Sequence, residues 1–170
     1  MKKHLDNHSL CIYLKPGEVV VANQPILVRT ILGSCIAVTM FSPSRRIGAI
    51  CHAMMPDRGS KHHDLRYVDT AILYIHRKVH EFGAANDLEI KLFGGAQVLL
   101  TTDRLLPRNL TVGMKNVARA QEILAEHGLP VAKSDVGGSR GRKLFFSIMN
   151  GDVYVARLGS DAPAASELCA

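Results

Sequence analysis

The spacing of apolar residues changes at Arg66, and that change limits the possible folds more than any other feature of the chain. From Arg66, residues Val68, Ala71, Ile72, Ile75, Val79 and Phe82 recur at intervals of three and four, the period of an amphipathic helix, and Gly83 supplies a stop. Before it, apolar residues gather in short β-type runs: Cys11 to Leu14, Glu18 to Ala22, Ile26 to Leu32, Ile36 to Phe41 and Ile47 to Met55. Pro16-Gly17, Asn23-Gln24-Pro25 and the polar segment Ser42 to Arg46 punctuate them as turns. Further on, Glu89 to Phe93 reads as a strand, and Val117, Ala120, Ile123 and Leu124 mark a second helix closed by Gly128 and Pro130. Val131 to Val136 and Lys143 to Met149 read as strands. Asn150-Gly151 is a type I′ hairpin signal leading to Val153-Tyr154-Val155.

Strands in runs with two inserted helices fit an α+β fold, with mainly antiparallel strands layered under two amphipathic helices, rather than the regular alternation of a doubly wound sheet. A chain of 170 residues, 47% hydrophobic and 21% charged, is the size of one domain. That domain is expected over 1–158, with a tail over 159–170. Charge or glycine breaks every apolar stretch well short of the roughly 20 residues that cross a bilayer, so no membrane insertion is expected. Acidic and His residues interrupt the start, MKKHLDNHSL, before any apolar run, so it does not read as a signal peptide and the cytoplasm is the expected location.

Cysteines 11, 35, 51 and 169 form no CxxC pair, and reduced thiols are expected. The formal net charge of +6 favours an acidic partner surface. With no Trp and 5% aromatic residues the chain lacks a base-stacking platform, so no nucleic-acid partner is expected.

The chemistry concentrates at Leu32-Gly33-Ser34-Cys35, where a thiol follows two small residues at the start of an apolar strand. Gly33 and Ser34 let a ligand approach the backbone closely, which suits substrate binding or an oxyanion hole. His52 lies late on the next expected strand, where a hairpin can return an imidazole to the thiol. An adjacent imidazole can take the thiol proton, stabilise the attacking thiolate and later protonate departing ammonia. A third polar group usually holds the imidazole tautomer, and Thr30, Ser34 and Thr39 are the candidates.

Other features are weaker. His76 and His80 share a helix face and His62-His63 precede it, but no acidic residue completes an HExxH pattern, and neither a metal nor a cofactor is expected. Gly137 to Lys143 reads as a basic loop between strands and lacks the order of a phosphate-binding loop. Gly94-Gly95-Ala96 reads as a tight turn after a strand.

Taken together, Leu32 to Cys35, Cys51-His52-Ala53-Met54-Met55-Pro56, Arg66 to Ala71, Phe93 to Ala96, Val112 to Val117 and Asp135 to Arg142 resemble, in order, the motifs of the CheD family of chemoreceptor glutamine deamidases. The resemblance spans about residues 13 to 158. It implies a layered α/β sandwich, similar to a toxin domain that deamidates glutamine. It also implies Cys35 as nucleophile, His52 as general base, Thr30 as the threonine assisting it, and hydrolysis of receptor glutamine side chains to glutamate and ammonia. Chemoreceptors are then the substrates. Some family members bind the phosphatase CheC, which makes such a phosphatase a candidate partner. The competing class is a non-catalytic chemotaxis adaptor that docks on receptors or on that phosphatase; the presence of both Cys35 and His52 favours the enzyme. A remoter alternative, a phosphate-binding or RNA-binding domain using the loop Gly138 to Lys143, would show steep salt dependence.

Overall fold

The computed structural model describes residues 10–57, 64–84, 86–97 and 111–159. The His62-His63 pair, the opening segment, Cys169 and the tail from 160 lie outside the described residues. In chain order the elements are β1 (Leu10–Tyr13), β2 (Val19–Ala22), β3 (Ile26–Leu32), β4 (Ile36–Ser42), β5 (Ile47–Ala53) and α1 (Val68–Glu81). There follow β6 (Glu89–Gly94), α2 (Val112–Glu126), β7 (Val131–Val136), β8 (Arg142–Ser147) and β9 (Val153–Arg157).

These strands form two sheets, ordered β1-β3-β8-β9 and β2-β5-β4-β6-β7. The β1/β3 and β6/β7 pairs are parallel, and the other pairings are antiparallel. Every residue of β4 and β5 is buried, because the five-stranded sheet is covered on both faces. On one face Ile36, Val38, Met40 and Cys51 pack against Val68, Ile72, Ile75 and Val79 of α1 and Ala120, Ile123 and Leu124 of α2. On the other, Ala37, Phe41 and Ile50 meet Val28, Leu32, Leu144 and Phe146 of the four-stranded sheet. Among the described residues, the α+β class, the mainly antiparallel pairing and the two helices agree with the sequence reading; the partition of the strands into two sheets adds to it.

Three local expectations are corrected. Helix α2 begins at Val112, more than a turn before Val117, with the Thr111 side chain accepting from Met114 N. The apolar period is silent there because Gly113 and Asn116 occupy the buried positions. Second, the 147–152 connection is not a type I′ turn, which needs two positive φ angles. Gly151 has φ 76 and Asn150 does not share that conformation; Gly151 N donates back to Ser147 O at 2.9 Å. Third, Cys11 is disulfide-bonded, while Cys35 and Cys51 are free. Cysteine spacing says nothing about which sulfurs meet in space, and that distance alone permits a bridge.

Candidate active site

Side chains alternate faces along β3, so Val28, Thr30 and Leu32 point into the inter-sheet core while Arg29 and Ile31 point away. On β5, His52 alternates with Cys51, which packs towards the helices, and therefore shares the inter-sheet face with Ile50. Thr30 and His52, 1% and 2% exposed, meet between the sheets. Thr30 Oγ1 lies 2.8 Å from Leu14 O and 2.9 Å from His52 Nδ1. A carbonyl only accepts, so the hydroxyl proton goes to Leu14 and the ring must donate from Nδ1 to Thr30. That leaves Nε2 with its lone pair, and among the described residues it has no hydrogen-bond partner. Of the three candidates for holding the tautomer, Thr30 is the one in contact with the ring.

Cys35 stands immediately before β4 and packs against the inter-sheet cluster. Ala37, two residues on, pairs directly with His52. The thiol and the imidazole thus lie toward the same inter-sheet face, Cys35 on the loop that enters β4 and His52 near the end of the β4–β5 ladder. The main chain of β5 is also fixed from outside: Gly17 N donates to His52 O at 2.7 Å and His52 N to Glu18 O at 3.1 Å.

Burial favours the uncharged form of both groups. Burial pushes the Cys35 thiol above its ordinary value, partly offset by its own backbone N–H. Burial likewise lowers His52, with the Leu14 carbonyl and the Glu18 carboxylate pulling it back in part. A neutral imidazole can accept a proton from a neutral thiol brought to it, which generates a reactive thiolate. Cys51, fully buried, is pushed up to about 12 and is inert by comparison.

The Gly33-Ser34-Cys35 backbone is tied down by its carbonyls. Ala96 N donates to Gly33 O at 2.8 Å, Asn116 Nδ2 to Ser34 O at 2.9 Å and Gly95 N to Cys35 O at 2.8 Å. In a trans peptide the N–H points opposite to the carbonyl, so the amides of Ser34 and Cys35 are turned away from these partners. Gly94-Gly95-Ala96 is therefore more than a turn: it is the cradle of the thiol loop. A Cβ on Gly94 would overlap the Cys35 carbonyl oxygen and stand 2.9 Å from Ile36 Cα. One on Gly113 would stand 2.7 Å from Gly95 O, so the start of α2 seats directly on this cradle.

Two residues escape a reading of the sequence by residue type. Asn116, 0% exposed, donates from Nδ2 to Ser34 O and to Met54 O, both at 2.9 Å. The signal was its spacing: Gly113, Asn116, Ala120 and Ile123 lie on one helical face, with a polar residue where an apolar one belongs. Arg142, expected in an exposed basic loop, is 0% exposed. Its guanidinium donates to Asp135 O, to Asp135 Oδ1 at 2.6 Å and to Gly137 O. The loop is ordered from within by this side chain. It in turn meets the cradle, Gly137 N donating to Gly94 O and Gln97 N to Gly138 O, both at 2.8 Å. His76 and His80 meet edge to face with centroids 4.9 Å apart, outside the buried positions of α1.

The class that fold and site define is a small α+β domain with a cysteine and a buried histidine toward one face at the margin of its inter-sheet core. The chain belongs to the CheD family: residues 54–157 match the family described as CheD chemotactic sensory transduction. It is 45% identical over 148 residues to the probable chemoreceptor glutamine deamidase CheD 2 of Geobacter sulfurreducens, covering 86% of this chain and 89% of that protein. It is also 40% identical over 155 residues to the probable chemoreceptor glutamine deamidase CheD of Maridesulfovibrio salexigens, covering 86% and 91%. With the protein of the same name from Pseudomonas fluorescens it shares 37% identity over 147 residues, covering 85% and 82%.

Proposed function

We propose that this protein is a chemoreceptor glutamine deamidase in which Cys35 is the nucleophile, His52 the general base and Thr30 the residue that holds the base. The observation that carries this reading is the free Nε2 of a buried neutral His52 on the face it shares with Cys35. The names of the relatives supply the reaction and the substrate class.

Neutral His52 takes the proton of the Cys35 thiol at Nε2 as sulfur attacks the side-chain carbonyl carbon of a receptor glutamine. The positive charge that develops on the ring is shared with Thr30 Oγ1 through Nδ1–H. Ser34 and Cys35 amides, turned from the carbonyls that anchor Gly33 and Ser34, supply donors for the oxyanion. Collapse of the tetrahedral intermediate breaks the C–N bond, and His52 returns the proton to the departing ammonia. Water then attacks the thioester with His52 again as base, releasing glutamate and the thiol. The protein works in the cytoplasm on the receptor's cytoplasmic part, and a CheC-type phosphatase is a candidate partner.

The test is incubation with a cytoplasmic receptor fragment followed by mass analysis of its peptides. The expected result is glutamine-to-glutamate conversion at defined positions, absent with Cys35→Ala. A receptor fragment that binds but is never converted would support the adaptor instead.

A further inference from the structure

We propose that Asn116 is a positioning residue that sets Cys35 against His52. The β4–β5 ladder ends at the Ile36↔Ala53 pair. Beyond it the strands part: Met54 N donates to Arg66 O at 2.8 Å, so the chain after His52 turns towards the start of α1. The nucleophile lies in the resulting splay, where no ladder bond fixes its distance from the base strand. One side-chain amide from α2 spans that gap, its two hydrogens committed to Ser34 O and Met54 O.

Each acceptor has a distinct meaning. Ser34 O shares a peptide plane with Cys35 N–H, so holding it fixes the direction of the nucleophile's own amide. Met54 is two residues beyond His52, so holding it fixes the exit of the strand that carries the base. The clamp is delivered rigidly, because α2 is anchored at Gly113 against Gly95 O and by Ala120, Ile123 and Leu124 in the helix-side core. Asn116 Oδ1 is buried with no hydrogen-bond partner. An orphan acceptor is costly, and an apolar residue would remove it while releasing both carbonyls. The amide therefore does something packing alone does not require.

The inference rests on the reading of Cys35 and His52 given above, and its test separates the two. Iodoacetamide alkylation of Cys35, followed by mass analysis of the peptide that contains it, reports the thiol's ionisation without any receptor. Asn116→Ala is expected to move the pH midpoint of alkylation to that of His52→Ala, and to lower kcat for receptor deamidation about 10²-fold with KM little changed. In a His52→Ala background it should add no further shift. If Asn116→Ala does not fold, Asn116→Ser, which keeps one donor on a shorter arm, is judged by the same criteria. A folded variant with the wild-type midpoint overturns the proposal, as does a shift that simply adds to that of His52→Ala. A shifted midpoint in a protein with no deamidase activity upholds Asn116 and rejects the deamidase reading instead.

Discussion

Thr30 and His52 face each other across two sheets, and the threonine fixes the tautomer of the histidine while burial fixes its charge. The hydroxyl proton is committed to Leu14 O at 2.8 Å, so Thr30 Oγ1 can only accept from Nδ1, 2.9 Å away. Nε2 is left as the basic nitrogen on the face shared with Cys35.

Replacing Thr30 with valine keeps shape and removes the acceptor. The loss of about one hydrogen bond at the base, ~1.4 kcal/mol, is expected to reduce kcat about tenfold. Thr30→Ser, which keeps the hydroxyl, should stay near wild type. His52→Ala should cost more, about 10²–10⁴-fold, because it removes the proton acceptor itself. Steady-state deamidation of one receptor fragment ranks the three, and a Thr30→Val enzyme as slow as His52→Ala would contradict an orienting role.

The acid limb of kcat/KM follows from the direction of the His52 shift. Only neutral imidazole accepts the thiol proton, so activity is lost as pH falls through the His52 value. Burial lowers that value, which places the limb below the ordinary 6.5 rather than at or above it. The raised Cys35 thiol does not ionise alone near neutrality, so no second rise is expected there. Rates in constant-ionic-strength buffers check this; a limb above the ordinary imidazole value would point to an ion-paired resting state.

Most of the strand and helix pattern is legible in the sequence because hydrophobic period reports burial directly. Ile26–Leu32 falls where the sequence places it, and α1 and β5 differ only at their ends; Val131–Val136 falls there too, although most of that strand is exposed. The period is blind to layer assignment: β4 and β5, buried on both faces, look the same whatever covers them. At the candidate site, Cys35 and His52 are proposed from the sequence because their chemistry is unusual for strand positions. The choice of Thr30 over Ser34 and Thr39 is not legible there, since it depends on β3 lying in the other sheet. Asn116 is hidden because it acts on main-chain carbonyls 82 and 62 residues away. Arg142 reaches carbonyls only seven and five residues away and is hidden because a carbonyl leaves no mark on sequence.

Arg142 should behave as a buried structural cation. Removing it leaves the Asp135 and Gly137 carbonyls beside the cradle without this donor, while the Asp135 carboxylate keeps Arg157 at 2.8 Å. Arg142→Met is expected to destabilise by about 1–3 kcal/mol, the cost of leaving buried acceptors without their donor. Arg140→Gln, at an exposed position, should change stability little. Urea melts distinguish them. Any salt dependence of receptor encounter then belongs to Arg140, Lys143 and the general charge excess, and persists in folded Arg142→Met.

Gly94 links backbone geometry to chemistry most directly. Its φ of 107 is one that L side chains rarely adopt, and its missing Cβ is where the Cys35 carbonyl oxygen sits. Both obstacles are main chain, so no side-chain rotation relieves them. Gly94→Ala must push β6 away from the thiol loop, at a cost of about 1–3 kcal/mol from the backbone conformation alone. It should also loosen the Gly95 N and Ala96 N bonds that hold the loop. The expected outcome is a lowered urea midpoint together with a kcat loss about 10²-fold, persisting at temperatures where the variant is fully folded. Gly128→Ala, also at positive φ but with open space around its Cβ, controls for backbone strain. It should lose stability and keep kcat, because α2's far end bears no load from the thiol loop. Equal kcat losses in the two variants would sever the link from cradle to nucleophile.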